Sequence, residues 1–528
     1  MSNRVDIMTV MQQIDGHIGA RRVVDAEKLA QQLIQNSPSF EGGWLQCARI
    51  AQMKGDLTGM LSCAQKVIEL KPEFPMGYLM CAEAQMNNTQ VDKAIKTLEK
   101  LESVAASDAQ AQQQIGQFYT SMEDHEGAYR VYSRAVALKP NDSQALYNLS
   151  TAASSLGKMA EAEDLLNKVI AIKPNDYDAY YNRAALRKQT SNNNHIDALE
   201  TVIKDCTDQR GLAQVGYALS KELEDIGEYD RSIAHLITGA AARHKGLSYD
   251  VQGDVDTMQA IAKVHGADFC TDIHSSDTAK NGIGPVFILG LPRSGTTLVD
   301  RILSSHSQVE SLGEVNDFVM SFMKAAGTVK DKMDLLDKSK SLDFEGLGEA
   351  YLTSTAARGI NAPVLIDKTP ANFLYIGLIA KALPSAKIIH LKRSPMDSCY
   401  AMYKTLFRMG YPFSYDMNDL ADYYAAYVKL MDHWHTVLPG RIHDVSYSDL
   451  VANQEEQSRR LVTACGLKWE EGCLNFHENA APSATASAAQ IRQPIYSSSV
   501  EKWRNYATAL APLQTALEAH GINVKVDE

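Results

Sequence analysis

The sequence predicts an α plus α/β chain: an N-terminal superhelix of helical hairpins, then a P-loop-like α/β domain with a central parallel sheet flanked by helices. Three observations predict it. Prolines at 38, 72, 140 and 174 are separated by 34, 68 and 34 residues, the spacing of an internal repeat. Residues 285–301, PVFILGLPRSGTTLVDR, read as a buried strand, a tight loop and a helix. Two more apolar runs, PVLI and KIIHL, each lead into charged residues, as strands do where they deliver side chains to a sheet edge.

The bulk composition agrees with a folded chain of two or three domains. The chain has 528 residues, 45% apolar and 22% charged. A net charge of -12 argues against broad attraction to nucleic acid, while leaving room for a local basic pocket. Eight cysteines form no CxxC or other metal-ligand spacing, which predicts reduced thiols and no metal site. The first residues lack a basic segment followed by an apolar one, and no run of eighteen apolar residues occurs. A cytoplasmic protein with no membrane span is expected.

The repeat comes first in chain order. Twelve residues before each proline position stand Ala26, Met60, Ala94, Ala128 and Ala162, with Ala106 in the place of the missing proline. Small residues there let two helices approach, and Met60 is the exception. In SQALYNLSTAASSLGKMAEAEDLLNKVIAIKPN, Leu146, Leu149 and Ala153 share one helical face and Ala162, Leu166 and Val169 the next, with Gly157 at the turn. Residues 7 to about 210 hold six copies. The sixth is broken near SNNNH, where two extra residues shift Ala198 out of phase, and a weaker copy follows at 213–246. The array resembles tetratricopeptide repeats, whose hairpins stack to bury their apolar faces. That resemblance implies a concave face for a partner or an acceptor protein, with a dimerisation or spacer role as the alternative. Tyr147, Tyr177, Tyr180 and Tyr181 are candidates to line that face or to pack in the core. The expected division is 1–250 for the repeats, 251–284 for a connecting segment and 285–528 for the α/β domain.

At 285–301 a strand, loop and helix N-terminus aim unpaired backbone N–H groups at one point, where the helix dipole favours an anion. Arg293 adds a positive fork, Gly295 lets the backbone come close, and the hydroxyls of Ser294, Thr296 and Thr297 can donate to phosphate or sulfate oxygens. The loop lacks the lysine of GxxxxGK, which argues against a nucleoside triphosphatase or a kinase.

LPRSGTT resembles the donor loop of sulfotransferases that use 3'-phosphoadenylyl sulfate (PAPS), in the arginine form found in tyrosylprotein sulfotransferases. The resemblance implies PAPS as co-substrate, adenosine 3',5'-bisphosphate (PAP) as product and no metal. It implies that Arg393, after the strand KIIHL, contacts the 3'-phosphate. The family's serine eight residues later is Ala401 here, a departure that leaves Ser398 as a candidate substitute. VSYSDLV resembles the family's next segment and SVEKWRNY its closing loop, making Tyr447, Lys502 and Arg504 candidate donor contacts. Tyr447, Trp503 and Tyr506 equally fit core packing, and Arg492 is a candidate to close over the donor.

For the chemistry, Glu314 in SLGEV resembles the catalytic glutamate of the tyrosylprotein enzymes, with His306 as the competing base. Lys368 in LIDKTP is the candidate to neutralise the leaving oxygen, with Asp367 orienting or pairing with it. Catalytic roles therefore fall to Glu314, Arg293 and Lys368. The expected reaction is sulfuryl transfer to a hydroxyl, foremost tyrosine in a protein or peptide. Carbohydrate or small-molecule hydroxyls, or a non-catalytic nucleotide-binding scaffold, are the alternatives. A homodimer is compatible with the sequence.

Overall fold

The computed structural model describes residues 2–88, 90–122, 124–273, 284–356, 358, 362–407, 410–479, 495 and 499–524. Arg492 and most of the polar stretch 274–284 lie outside the described residues. The chain divides into two compact units, Met1–Arg187 and Lys188–Glu528.

The first unit is a stack of antiparallel helices, among them Glu41–Lys54 with Leu57–Leu70, Ala109–Ser121 with His125–Leu138 and Ser143–Ser155 with Met159–Ile172. The period explains the packing. Ala26, Met60, Ala94, Ala128 and Ala162 are all buried, as are Leu146, Leu149, Ala153, Leu166 and Val169. Met60 is thus accommodated in the interior rather than expelled. Tyr180 is buried, and the Tyr147 hydroxyl accepts a hydrogen bond from the Asn182 amide at 2.5 Å. Where the sixth copy looked broken, the phase does shift: Ala162 is the fourth residue of its helix, and the fourth residue of the helix Ile196–Asp205 is the buried Leu199, thirty-seven residues on. Ile196, thirty-four residues after Ala162, starts the helix Ile196–Asp205 and is buried, whereas Ala198 is exposed.

The second unit begins with that helix and the hairpin Gln209–Asp225 with Tyr229–Lys245, followed by the α/β domain. The stretch expected to connect carries the helix Gln252–Val264, whose C-cap His265 stacks on the buried Trp434. Trp434 lies on the long helix Met417–Val437 and donates its indole N–H to the Phe373 carbonyl at 2.9 Å.

Five strands form one parallel sheet: β1 (Val286–Gly290), β2 (Val309–Ser311), β3 (Val364–Asp367), β4 (Lys387–Lys392) and β5 (Ile442–Ser446). Their order is β2-β3-β1-β4-β5. β1 sits in the middle and is wholly buried, which is why it reads as a continuous apolar run. From β1 the chain builds to one side through β2 and β3, then crosses to the other side for β4 and β5. That reversal opens a crevice at the C-terminal ends of the strands. Apolar packing on the sheet gathers Val299, Ile302 and Leu303 from the helix Thr296–Ser304 with Val364, Ile366, Ile389 and Leu461. Each such side chain contributes roughly 1.5–3 kcal/mol when fully buried. Among the described residues, no helix is long and apolar enough to cross a membrane.

Candidate active site

The loop 291–295 leaves β1 through Gly290 and enters the helix Thr296–Ser304 through Gly295, which has φ 110°. A Cβ at Gly295 would stand 2.5 Å from the Tyr447 ring, so this position needs both the backbone freedom and the missing side chain. Gly295→Ala is expected to cost about 1–3 kcal/mol through this overpacking, read as a lower urea midpoint. An unchanged midpoint would show that the ring yields freely. Arg293 also adopts a left-handed backbone, at φ 66°, a strained state that recurs where a loop is shaped for a ligand. Ser294, Thr296 and Thr297 are buried, and among the described residues the Ser294 Oγ has no hydrogen-bond partner.

Arg393 follows β4 and bridges to this loop. Its guanidinium donates to the Arg293 carbonyl at 3.0 Å and to the Ser499 carbonyl at 2.6 Å, and it lies 4.9 Å from the centre of the Tyr447 ring. Its buried Nε has no partner among the described residues. Tyr447, after β5, hydrogen-bonds Ser499 Oγ at 2.8 Å, so it packs against Gly295 and Arg393 together. Ser398 is buried and donates to the Arg393 carbonyl at 3.2 Å. Two orphaned polar atoms, Ser294 Oγ and Arg393 Nε, together with the narrow Gly295 backbone, fit an anionic donor. Unpaired buried polar groups are costly unless a ligand satisfies them.

Glu314 and Lys368 are brought together by the sheet itself. The ladder between β2 and β3 runs past the strand ends: Leu312 N–H donates to Ile366, Lys368 N–H to Gly313, and Val315 N–H to Thr369 Oγ1. The Lys368 ammonium, 1% exposed, then donates to Glu314 Oε1 at 2.5 Å, while Glu314 is 48% exposed. The pair thus has one end in the protein and the other open to an acceptor. Asp367 is buried beneath it and accepts from Asn372 at 3.0 Å; burial pushes its carboxyl up to about 7. Both His306 nitrogens are engaged in the fold, Nε2 with the Lys468 carbonyl at 2.8 Å and Nδ1 with the Gln308 N–H at 3.1 Å.

Lys502 joins a cluster that the sequence did not reveal. Glu224, on the helix Gln209–Asp225, accepts from Lys404 at 2.9 Å, from Tyr400 at 2.6 Å, from Tyr506 at 2.8 Å and from Lys502. Burial alone would raise the Glu224 carboxyl, but Lys404 and Lys502 hold it well below the usual carboxylate range. One carboxylate serves two ammonium groups. Burial therefore pushes Lys404 down to about 8, with Lys502 and Arg293 adding like-charge repulsion that Glu224 only partly offsets. The proximity of Arg293 ties this cluster to the loop. Arg504, by contrast, pairs with Glu501 at the surface and lies over Trp503.

A basic anion cradle at the switch point of a parallel sheet, with a carboxylate beside it, is the setting in which the family comparison falls. The family model described as Sulfotransferase family matches residues 285–471, and one described as Tetratricopeptide repeat matches 119–187. The chain carries a sulfotransferase domain. An uncharacterized protein of Aquifex aeolicus is 32% identical over 341 residues, 62% of this chain and 44% of that protein. The chain thus spans less than half the length of that relative. A putative protein-tyrosine sulfotransferase of Caenorhabditis briggsae is 25% identical over 225 residues, 41% of this chain and 80% of that protein. The sulfotransferase domain from the Synechococcus PCC 7002 olefin synthase aligns at 18% identity with a TM-score of 0.33, covering 46% of this chain and 95% of that one. Within the sulfotransferase domain of the present chain lie Arg293, Glu314, Lys368, Arg393 and Tyr447, while Glu224 and Lys502 flank it in sequence.

Proposed function

We propose that the chain transfers the sulfuryl group of PAPS to a hydroxyl, foremost that of tyrosine in a protein or peptide, with Glu314 as general base. The single observation that carries this reading is the Lys368–Glu314 pair, held at the same sheet edge as the Arg293 loop. A base and a cation in contact suit a transfer in which a proton leaves one oxygen while charge grows on another. The phenolic oxygen bonds to sulfur, its proton passes to Glu314, and the bond from sulfur to the bridging phosphate oxygen breaks. Lys368 neutralises the charge left on that oxygen, giving PAP. Arg293, Ser294, Gly295, Thr296 and Thr297 hold the 5' end of the donor. Arg393, Ser398, Tyr447 and Lys502 hold its adenosine and 3'-phosphate end, with Arg504 at the rim. The repeat array holds the polypeptide acceptor.

The test is an acceptor screen with labelled PAPS over tyrosine peptides, glycans and small hydroxyl compounds. Labelled tyrosine peptide is the expected result; label on glycans alone would move the acceptor class, and PAP binding with no labelled acceptor would favour the non-catalytic scaffold.

The under-neutralised lysines predict a pH dependence. Lys404 is an ammonium below about pH 8 and neutral above it, so affinity for the anion PAP is expected to fall as pH rises through that value. The expected drop from pH 7 to 9 is roughly tenfold, about 1.4 kcal/mol. Calorimetry across that range checks it, with Lys404→Met expected to flatten the profile. A flat wild-type profile would show that the charge of Lys404 does not act on bound PAP.

A further inference from the structure

Three side chains on the opposite half of the sheet meet with the chemistry of a metal centre. His390 on β4 and Asp444 on β5 are register partners on adjacent strands, so their side chains project from the same face. His435 reaches them from the helix Met417–Val437, which covers that face. His390 Nδ1 lies 2.8 Å from Asp444 Oδ1, and His435 Nε2 lies 3.2 Å from the same oxygen. One ligand atom from each of the three falls within 4.8 Å of the others.

We propose that His390, His435 and Asp444 bind a divalent transition-metal ion of the zinc type, pinning the edge strand β5 and β4 to the helix Met417–Val437. Two imidazoles and one carboxylate form a ligand set such ions take, with bonds of roughly 2.0–2.2 Å. A tetrahedral centre with those bonds separates its ligand atoms by about 3.3 Å, close to the spacings already present. Little movement is needed to admit the ion. All three residues line a cavity of about 100 Å³ whose wall also includes Ser294, Lys392, Arg393 and Ser398.

A supporting partner for the buried ligand is in place. His390 Nε2 lies 2.5 Å from the Tyr427 hydroxyl, which can accept or donate. With the ion on Nδ1, the ring proton sits on Nε2 and donates to Tyr427, fixing ring and tautomer. None of the three residues belongs to the Glu314–Lys368 pair, but they share their cavity with Ser294, Arg393 and Ser398 of the donor loop and its neighbours.

The test is cobalt titration of the full chain after chelator dialysis, with any purification tag removed. The expected result is one Co²⁺ per chain with the intense visible bands of a four-coordinate site. His435→Ala and Asp444→Asn should each weaken cobalt binding by roughly a hundredfold or more, and Tyr427→Phe by about tenfold to a hundredfold. His435 is 38% exposed, so its replacement leaves the fold intact, checked by circular dichroism. Absence of bound cobalt overturns the proposal. So does cobalt bound with the same affinity and spectrum in the His435 and Asp444 variants.

Discussion

Glu314→Gln is expected to lower the rate of sulfuryl transfer by about 10²–10⁴-fold while leaving PAP affinity unchanged or slightly tighter. The substitution keeps the shape and one acceptor oxygen but removes the site that takes the phenolic proton. A phenol with pKa near 10 is a poor nucleophile at neutral pH unless its proton has somewhere to go. The affinity half of the prediction follows from Lys368. That ammonium is almost fully buried and pairs with Glu314, so neutralising the carboxylate leaves a cation with more attraction for a donor anion. Transfer of label from PAPS and calorimetry with PAP, run on the same preparation, separate the two effects. Full turnover in Glu314→Gln would falsify the base assignment, whereas a parallel loss of PAP affinity would turn Glu314 into a structural prop for Lys368.

The fold was legible wherever a residue's environment was set by its own segment. The thirty-four-residue period marks helix faces because each hairpin meets its neighbours in the same way, so Ala94, Ala128 and Ala162 all land in the interior. The break in the sixth copy was legible as well: the helix Ile196–Asp205 starts thirty-seven residues after Met159, three later than the period. β1, β3 and β4 announce themselves as apolar runs because both their faces are covered. β2 is three residues long, and β5, IHDVS, is half-exposed at the sheet edge, so neither has a composition that separates it from loop. The helix Gln252–Val264 was hidden by its position beside a polar stretch. The loop, Arg393, Lys368 and Glu314 were visible because each sits just after a strand or beside a short motif. Glu224, Lys404 and Tyr400 were not: they meet across 176 to 180 residues of chain, and no local spacing encodes that meeting. The same holds for His390, His435 and Asp444, which come from two strands and a helix.

Removing Glu224 is expected to have the largest effect on stability. Glu224→Ala should destabilise the second unit by about 3–5 kcal/mol at pH 7, the usual consequence of leaving buried charge without its partner. Two lysines and two tyrosine hydroxyls lose one acceptor at once, and half-buried Lys404 is left beside the positive charges of Lys502 and Arg293. Glu224→Gln should cost less, because its amide oxygen still accepts from one hydroxyl. The deficit has a pH signature of definite sign. Without the carboxylate, the folded-state pKa of Lys404 drops below 8, while in the unfolded chain it stays near 10.4. The fold then binds fewer protons than the unfolded chain, so its stability rises with pH, and the deficit against the wild type shrinks until about pH 8, where the wild-type ammonium also loses its proton. Urea midpoints at pH 7 and 9.5 measure this. An anion can also stand in for the lost carboxylate. If Lys404 and Lys502 contact the donor phosphate, PAP should raise the unfolding temperature of Glu224→Ala more than that of the wild type, since a ligand that binds only the folded state stabilises it in proportion to its affinity. Equal shifts in the two proteins would confine the Glu224 cluster to holding the helix Gln209–Asp225 against the closing segment 499–506. A larger shift in the variant would make the same carboxylate a placeholder for phosphate, released as the donor enters.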